Sequence, residues 1–144
     1  MSLHLIKLCV GADSIEDLRG WVADRARRAV DAGLSPHSAH VTRMSPKRAD
    51  ELLDGGSLYW VIKGQVSARQ ALLDIEEFKD DEGIGRCRLK LAPDVIETLP
   101  QPKRPFQGWR YLDAKDAPAD LFGASQSEDM PAELKRELAQ LGLL

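Results

Sequence analysis

The sequence predicts an α+β fold: a small, strongly bent mixed sheet or open β-barrel with flanking helices. Three observations carry this. Apolar and β-branched runs of strand length recur through the middle of the chain without helices between them. The clear helix signals lie around 13–33, around 45–54 and after Pro131. The resulting order, β-α-β-α-β-β-β-turn-β-α, is not the alternation of a doubly wound sheet. At 144 residues the chain reads as one domain. Residues 1–115 form the α+β body, and 116–144 a polar linker and C-terminal helix packed on or near it.

Each element has its own signal. LHLIKLCV (3–10) is apolar on both alternating faces, as a central strand covered on two sides should be. Asp13 or Ser14 caps a helix whose stripe is Ile15, Leu18, Val22, Ala26, Ala29 and Val30, stopped at Gly33. HSAHVTRM (37–44) follows Pro36 as a short second strand. Ser45-Pro46 signals a short helix that ends at Asp54-Gly55-Gly56. SLYWVIKG (57–64) is aromatic and β-branched, hence strand. Residues 65–78 carry both helical and strand signals; the tight Lys63-Gly64 link favours a strand, with a bulge near Ala68 to Gln70. DDEG (80–83) is a loop, and GRCRLKLA (85–92) alternates cleanly. Residues 92–105 hold a helical turn and then an extended, polyproline-like stretch with Pro100, Pro102 and Pro105. FQGWRYL closes the last strand, and Leu134, Leu138 and Leu141 form the stripe of the final helix.

Composition bounds the setting. No apolar run approaches the ~20 residues of a membrane span, and the N-terminal stretch lacks the flanks of a signal peptide. Cys9 and Cys87 sit in strand-like runs, as buried free thiols of a cytoplasmic protein do. Residues 74–82 hold six acids and one lysine, and residues 113–144 seven acids and three bases. With an overall charge of −3, the remaining body carries +6, which permits an anionic partner.

Three segments bear candidate chemistry. In RMSPKR (43–48), Lys47 and Arg48 occupy the expected first helical turn while Asp50, Glu51 and Asp54 lie toward its end. That order opposes the helix dipole and makes sense if an anion docks beside Arg43, Ser45, Lys47 and Arg48. Arg86, Arg88 and Lys90 share one strand face at roughly 6.6 Å steps, near the spacing of successive phosphates on an extended single strand. The competing reading is a solvent-facing row balanced by DIEEF (74–78) across the hairpin. In PKRPFQGWRYL, alternation puts Phe106, Gly108, Arg110 and Leu112 on one face and Gln107, Trp109 and Tyr111 on the other. Either Trp109 and Tyr111 form a stacking platform, or they are core and Arg110 is the odd residue. His37-x-x-His40 lacks a third ligand, and the acids of 74–82 do not fit a calcium loop, so no metal or cofactor is expected. No nucleophile or phosphate-loop motif is present.

HLIKLCVG (4–11), VTRMSPKRADELLDGGSLYWVIKG (41–64) and RPFQGWRYL (104–112) together resemble a family of about 150-residue bacterial proteins classed as a domain of unknown function. The resemblance covers nearly the whole chain and transfers no catalytic residue. The element order, with an aromatic strand ending in Lys-Gly and a late W-x-Y strand, also looks like the PUA-like superfamily and its ASCH and EVE branches. That likeness implies a bent barrel with a cleft that binds RNA or a modified base. The expected function is therefore RNA or nucleotide binding. Arg43, Lys47 and Arg48 would take phosphates, Arg86, Arg88, Lys90 and Arg104 would extend the surface, and Trp60, Trp109 or Tyr111 would stack a base. Two alternatives stay open. One is a small enzyme using Arg110 and Trp109 with Asp54 or Glu97; the other is an interaction module using the C-terminal leucine stripe.

Overall fold

The computed structural model describes residues 3–121. It is α+β: a seven-stranded mixed sheet that does not close into a barrel, with two helices. The strands are β1 (Leu3–Leu8), β2 (Ser38–Thr42), β3 (Ser57–Ile62), β4 (Gln65–Lys79), β5 (Gly85–Leu91), β6 (Ile96–Pro102) and β7 (Trp109–Asp113). The helices are α1 (Ile15–Asp31) and α2 (Ala49–Leu52), and a 3-10 turn covers Ala114–Asp116. Strand order is β2-β5-β4-β3-β1-β7, with β6 also on β4. Among the described strands only the β1–β3 pairing is parallel; the others run antiparallel. Among the described residues, no helix is long and apolar enough to cross a membrane.

The bend resides in β4. Its first half pairs with β3 and β6, its second half with β5. Ser67 and Leu73 are each an extra residue in the ladder, between Trp60↔Ala68 and Val61↔Val66, and between Leu72↔Leu91 and Asp74↔Lys90. Bulges raise local twist, so β5 and β2 curl over the face that holds Trp60, and the His40 ring meets the Trp60 ring edge-on at 5.3 Å. The expected bulge near Ala68 to Gln70 thus lies slightly earlier, and a second one follows it. Lys63 (φ 50°) and Gly64 (φ 77°) are both left-handed, as a two-residue hairpin between β3 and β4 requires.

Both faces of the β1–β3 pair are buried. Leu5, Cys9, Leu58 and Trp60 face a core shared with Leu18 and Val22 of α1 and Leu52 of α2. Ile6, Tyr59, Val61, Val66 and Leu112 form a second cluster on the other side, with Phe106 and Ala117 against it. Ser14 is the cap of α1, its side chain accepting from the Asp17 amide. Val30, expected in the apolar stripe, is 52% exposed, while its neighbour Ala29 is buried.

Three expectations are corrected. The second helix does not start at Ser45-Pro46: it begins at Ala49, with Arg48 at the cap position making no side-chain capping bond. Asp50 and Glu51 are then in the first turn, so the charge order suits the dipole. Residues 96–102 are not polyproline-like but strand β6, since Pro100 and Pro102 fit an edge where a missing N–H costs no ladder bond. The start of the expected linker is docked: the Leu99 amide donates to the Ala119 carbonyl and the Leu121 amide to that of Glu97. Arg69 adds a two-bond fork to Asp120, at 2.7 and 2.8 Å. The expected C-terminal helix lies outside the described residues.

Candidate ligand cleft at the open seam of the sheet

The terminal strands β2 and β7 approach each other without pairing. The loop after β2 bridges the gap. The Trp109 indole Nε1–H donates to the Met44 carbonyl at 2.8 Å, and the Tyr111 hydroxyl accepts from the Lys47 and Arg48 amides at 2.9 and 3.2 Å. Trp109 and Tyr111 meet edge-on, ring centres 5.0 Å apart. The Tyr111 hydroxyl takes up N–H groups that a side-chain cap would otherwise satisfy.

Over this join lies a cleft of about 780 Å³ lined by Lys7, Val41, Thr42, Arg43, Met44 and residues 107–111. Among the described residues it has three cations, Lys7, Arg43 and Arg110, and no carboxylate. Its apolar surface comes from the Trp109 and Tyr111 rings with exposed Val41 and Met44. Arg43 also lines an adjoining hollow of about 440 Å³ with Ser45 and Arg86. The structure thus brings together Arg43, Trp109, Arg110 and Tyr111 of the expected residues, with Ser45 and Arg86 next door.

The other expected residues are placed elsewhere. Trp60 is a core residue whose Nε1–H donates to Gln70. Arg88 bonds Glu76 at 3.0 Å and lies over the Phe78 ring, Arg86 bonds Asp80 at 3.0 Å, and Lys90 stands opposite Asp74. The β5 row is therefore balanced across its hairpin. Lys47 enters the join through its backbone, while Arg48 pairs with Glu51 and sits over the Tyr111 ring. Arg104 is exposed in the loop before β7 and does not line the cleft. Asp54 and Glu97 do not line it either, and Glu97 faces Arg19 at 3.7 Å.

Sequence reading missed Lys7, although a signal was present. It shares the inward face of Leu3, Leu5 and Cys9, and a charge on an apolar face asks for a partner. Behind it a hollow of about 140 Å³ extends between α1, β1 and β2, reaching Arg25, His40, Ser38, Trp60 and Gln70. Burial, then Lys7 and Arg25, push the His40 imidazole down to about 4, so it is neutral near pH 7. Burial pushes the Cys9 thiol up to about 11, which keeps it protonated. His37 turns away to the Ser35 carbonyl.

The His40 value has a measurable consequence. The folded state resists a proton that the unfolded chain binds at 6.5. His40 therefore contributes stability that is fully present above pH 6.5 and is lost as pH falls through about 4. The loss is on the order of 3 kcal/mol. Urea titrations at pH 7 and pH 4 should show His40→Phe losing less stability than the parent by about that amount. Equal losses would place the acid sensitivity elsewhere.

Residues 5–144 match the family described as a protein of unknown function, DUF1489. The chain belongs to this family. The membership agrees with the three sequence blocks, two of which meet at the seam: residues 41–64 supply Arg43, Met44 and the bridging amides, and 104–112 supply Trp109, Arg110 and Tyr111. No curated protein and no solved structure matches this DUF1489 chain. The likeness to PUA-like domains thus rests on element order alone.

Proposed function

We propose that the protein binds RNA or a nucleotide-like ligand in the seam cleft. One observation supports this above the others: three cations and two aromatic rings line one cleft in which no described residue is a carboxylate. Lys7, Arg43 and Arg110 suit phosphates, and the rings beside Met44 suit a base, whose stacking contributes ~1–3 kcal/mol. The element order shared with PUA-like domains points the same way. The enzyme alternative loses its carboxylates, since neither Asp54 nor Glu97 reaches the cleft. The leucine stripe of the interaction-module alternative lies outside the described residues.

Fluorescence anisotropy with a labelled single-stranded RNA hexamer tests the reading. Affinity should fall steeply with salt, and Arg43→Ala/Arg110→Ala should weaken binding about tenfold or more and lower the salt slope by about two. Arg88→Ala should change little, because Glu76 already holds that guanidinium. Undetectable or salt-independent binding would sink the proposal.

A further inference from the structure

The hollow behind the cleft has a chemistry of its own. It is bounded by Leu18 and Val22 of α1 and by Leu91 and Trp60, so its walls are apolar. Into it come two cations from different elements, Lys7 of β1 and Arg25 of α1. Neither forms an ion pair among the described residues, whereas on the same helix Arg19 pairs with Glu97, and Arg27 and Arg28 share Asp24. Among the described residues no carboxylate lines the hollow. Both cations act on His40 and on Cys9, so their charges converge on one place; the Asp17 carboxylate also acts on Cys9 but not on His40. Like charges beside an apolar wall repel each other, and a counter-anion would remove that repulsion.

The neutral groups complete the picture. Ser38 Oγ accepts from Gln70 Nε2 at 3.1 Å, and no acceptor for its hydroxyl proton is seen among the described residues. The Gln70 amide is committed to Ser38, Trp60 and the Ala92 carbonyl. The volume of about 140 Å³ admits a phosphate-sized group and a water or two, but not a nucleoside.

We infer that this hollow is an oxyanion pocket for a phosphate group, with Lys7 and Arg25 as its cations and the Ser38 hydroxyl as a neutral donor. Because Lys7 also lines the cleft, the phosphate can be free or can be the terminal phosphate of a nucleotide lying in the cleft. The pocket does not depend on nucleic acid being the occupant of the cleft.

Inorganic phosphate is the first probe. Titration at low ionic strength, followed by tryptophan fluorescence and by the His40 ring resonances, should saturate. Lys7→Met and Arg25→Met should each weaken it at least about tenfold, the scale of a lost charged hydrogen bond, while Arg28→Met should not. Circular dichroism checks that the variants fold; if Lys7→Met does not, Arg25→Met, at an exposed residue on the rim of the hollow, decides. Absence of saturation, or binding unchanged in Arg25→Met, overturns the pocket. The second probe is a pair of RNA hexamers, with 5′-phosphate and with 5′-hydroxyl. A preference for the phosphorylated one that disappears in Arg25→Met supports a terminal phosphate as the source. Saturable phosphate binding with no hexamer preference supports free phosphate. Hexamer binding without phosphate saturation overturns the pocket alone, and phosphate saturation without hexamer binding overturns the cleft reading alone.

Discussion

Gly56→Ala should lower the melting temperature by roughly 10 °C or prevent folding outright. A Cβ at this position would sit 2.2 Å from the Leu52 carbonyl oxygen and 2.3 Å from that of Leu3. Both are backbone atoms, held by α2 and β1, so neither can rotate away. Gly56 is also fixed on both sides: its amide donates to Leu52 and its carbonyl accepts from the Leu72 amide. Accommodating the methyl would pull the end of α2 off β1 and expose Leu52, which is 0% exposed. A four-residue helix has no stability of its own and depends on that anchor. Thermal denaturation followed by circular dichroism measures the effect. Gly20→Ala is the matched comparison: it lies within α1 with nothing within 4 Å, and should be neutral or stabilising by about 0.5–1 kcal/mol. A Gly56→Ala protein that melts with its parent would show that the α2–β1 approach is loose.

Gln70→Leu should cost about 3–5 kcal/mol. Gln70 is 0% exposed and joins three elements: it accepts from Trp60 of β3, and donates to Ser38 of β2 and to the Ala92 carbonyl after β5. Leucine fills the space and leaves the buried Trp60 and Ser38 groups and the part-buried Ala92 carbonyl without that hydrogen bond, each buried group costing about 1–3 kcal/mol. Urea denaturation should show a lower midpoint with an unchanged slope. Adding Trp60→Phe removes one of the stranded donors, so the double variant should lose less than the sum of the two single changes. Strict additivity would mean that the Trp60–Gln70 bond contributes nothing.

Much of the fold was readable because local pattern and burial agree. Alternation in GRCRLKLA places Cys87, Leu89 and Leu91 inward and the three cations outward. The doubly apolar LHLIKLCV lies between β3 and β7, as its pattern requires. The failures have a common cause, which is contact between distant residues. Ser45-Pro46 is a sound local helix start, but in the fold the Lys47 and Arg48 amides are held by the Tyr111 hydroxyl, 64 residues away from Lys47, and the helix begins at Ala49. In β6 the backbone angles of an extended proline-rich chain and of an edge strand overlap, and only the β4 partner separates them.

The site was legible in part for the same reason. RPFQGWRYL posed a choice between two faces. Both turn out to be used: Leu112 and Phe106 pack in one cluster, and Trp109 packs against the other. Arg110 is neither a buried anomaly nor a plain surface charge; it lies 5.9 Å from the Phe106 ring and lines the cleft. The convergence of Arg43 with Arg110 and Lys7 depends on how far the sheet curls, which the two bulges of β4 set and no short segment encodes.

The join between β2 and β7 has an energetic consequence. A strand ladder closes a barrel cooperatively, since its bonds break together or not at all. Here closure consists of separate bonds from the Trp109 and Tyr111 side chains to single backbone groups. Each contributes only about 1 kcal/mol net. The mouth can widen at a small fraction of the free energy of unfolding, with every strand pairing intact. Entry to the interior and melting of the fold are thereby separate events in this molecule, where a closed ladder would have made them one.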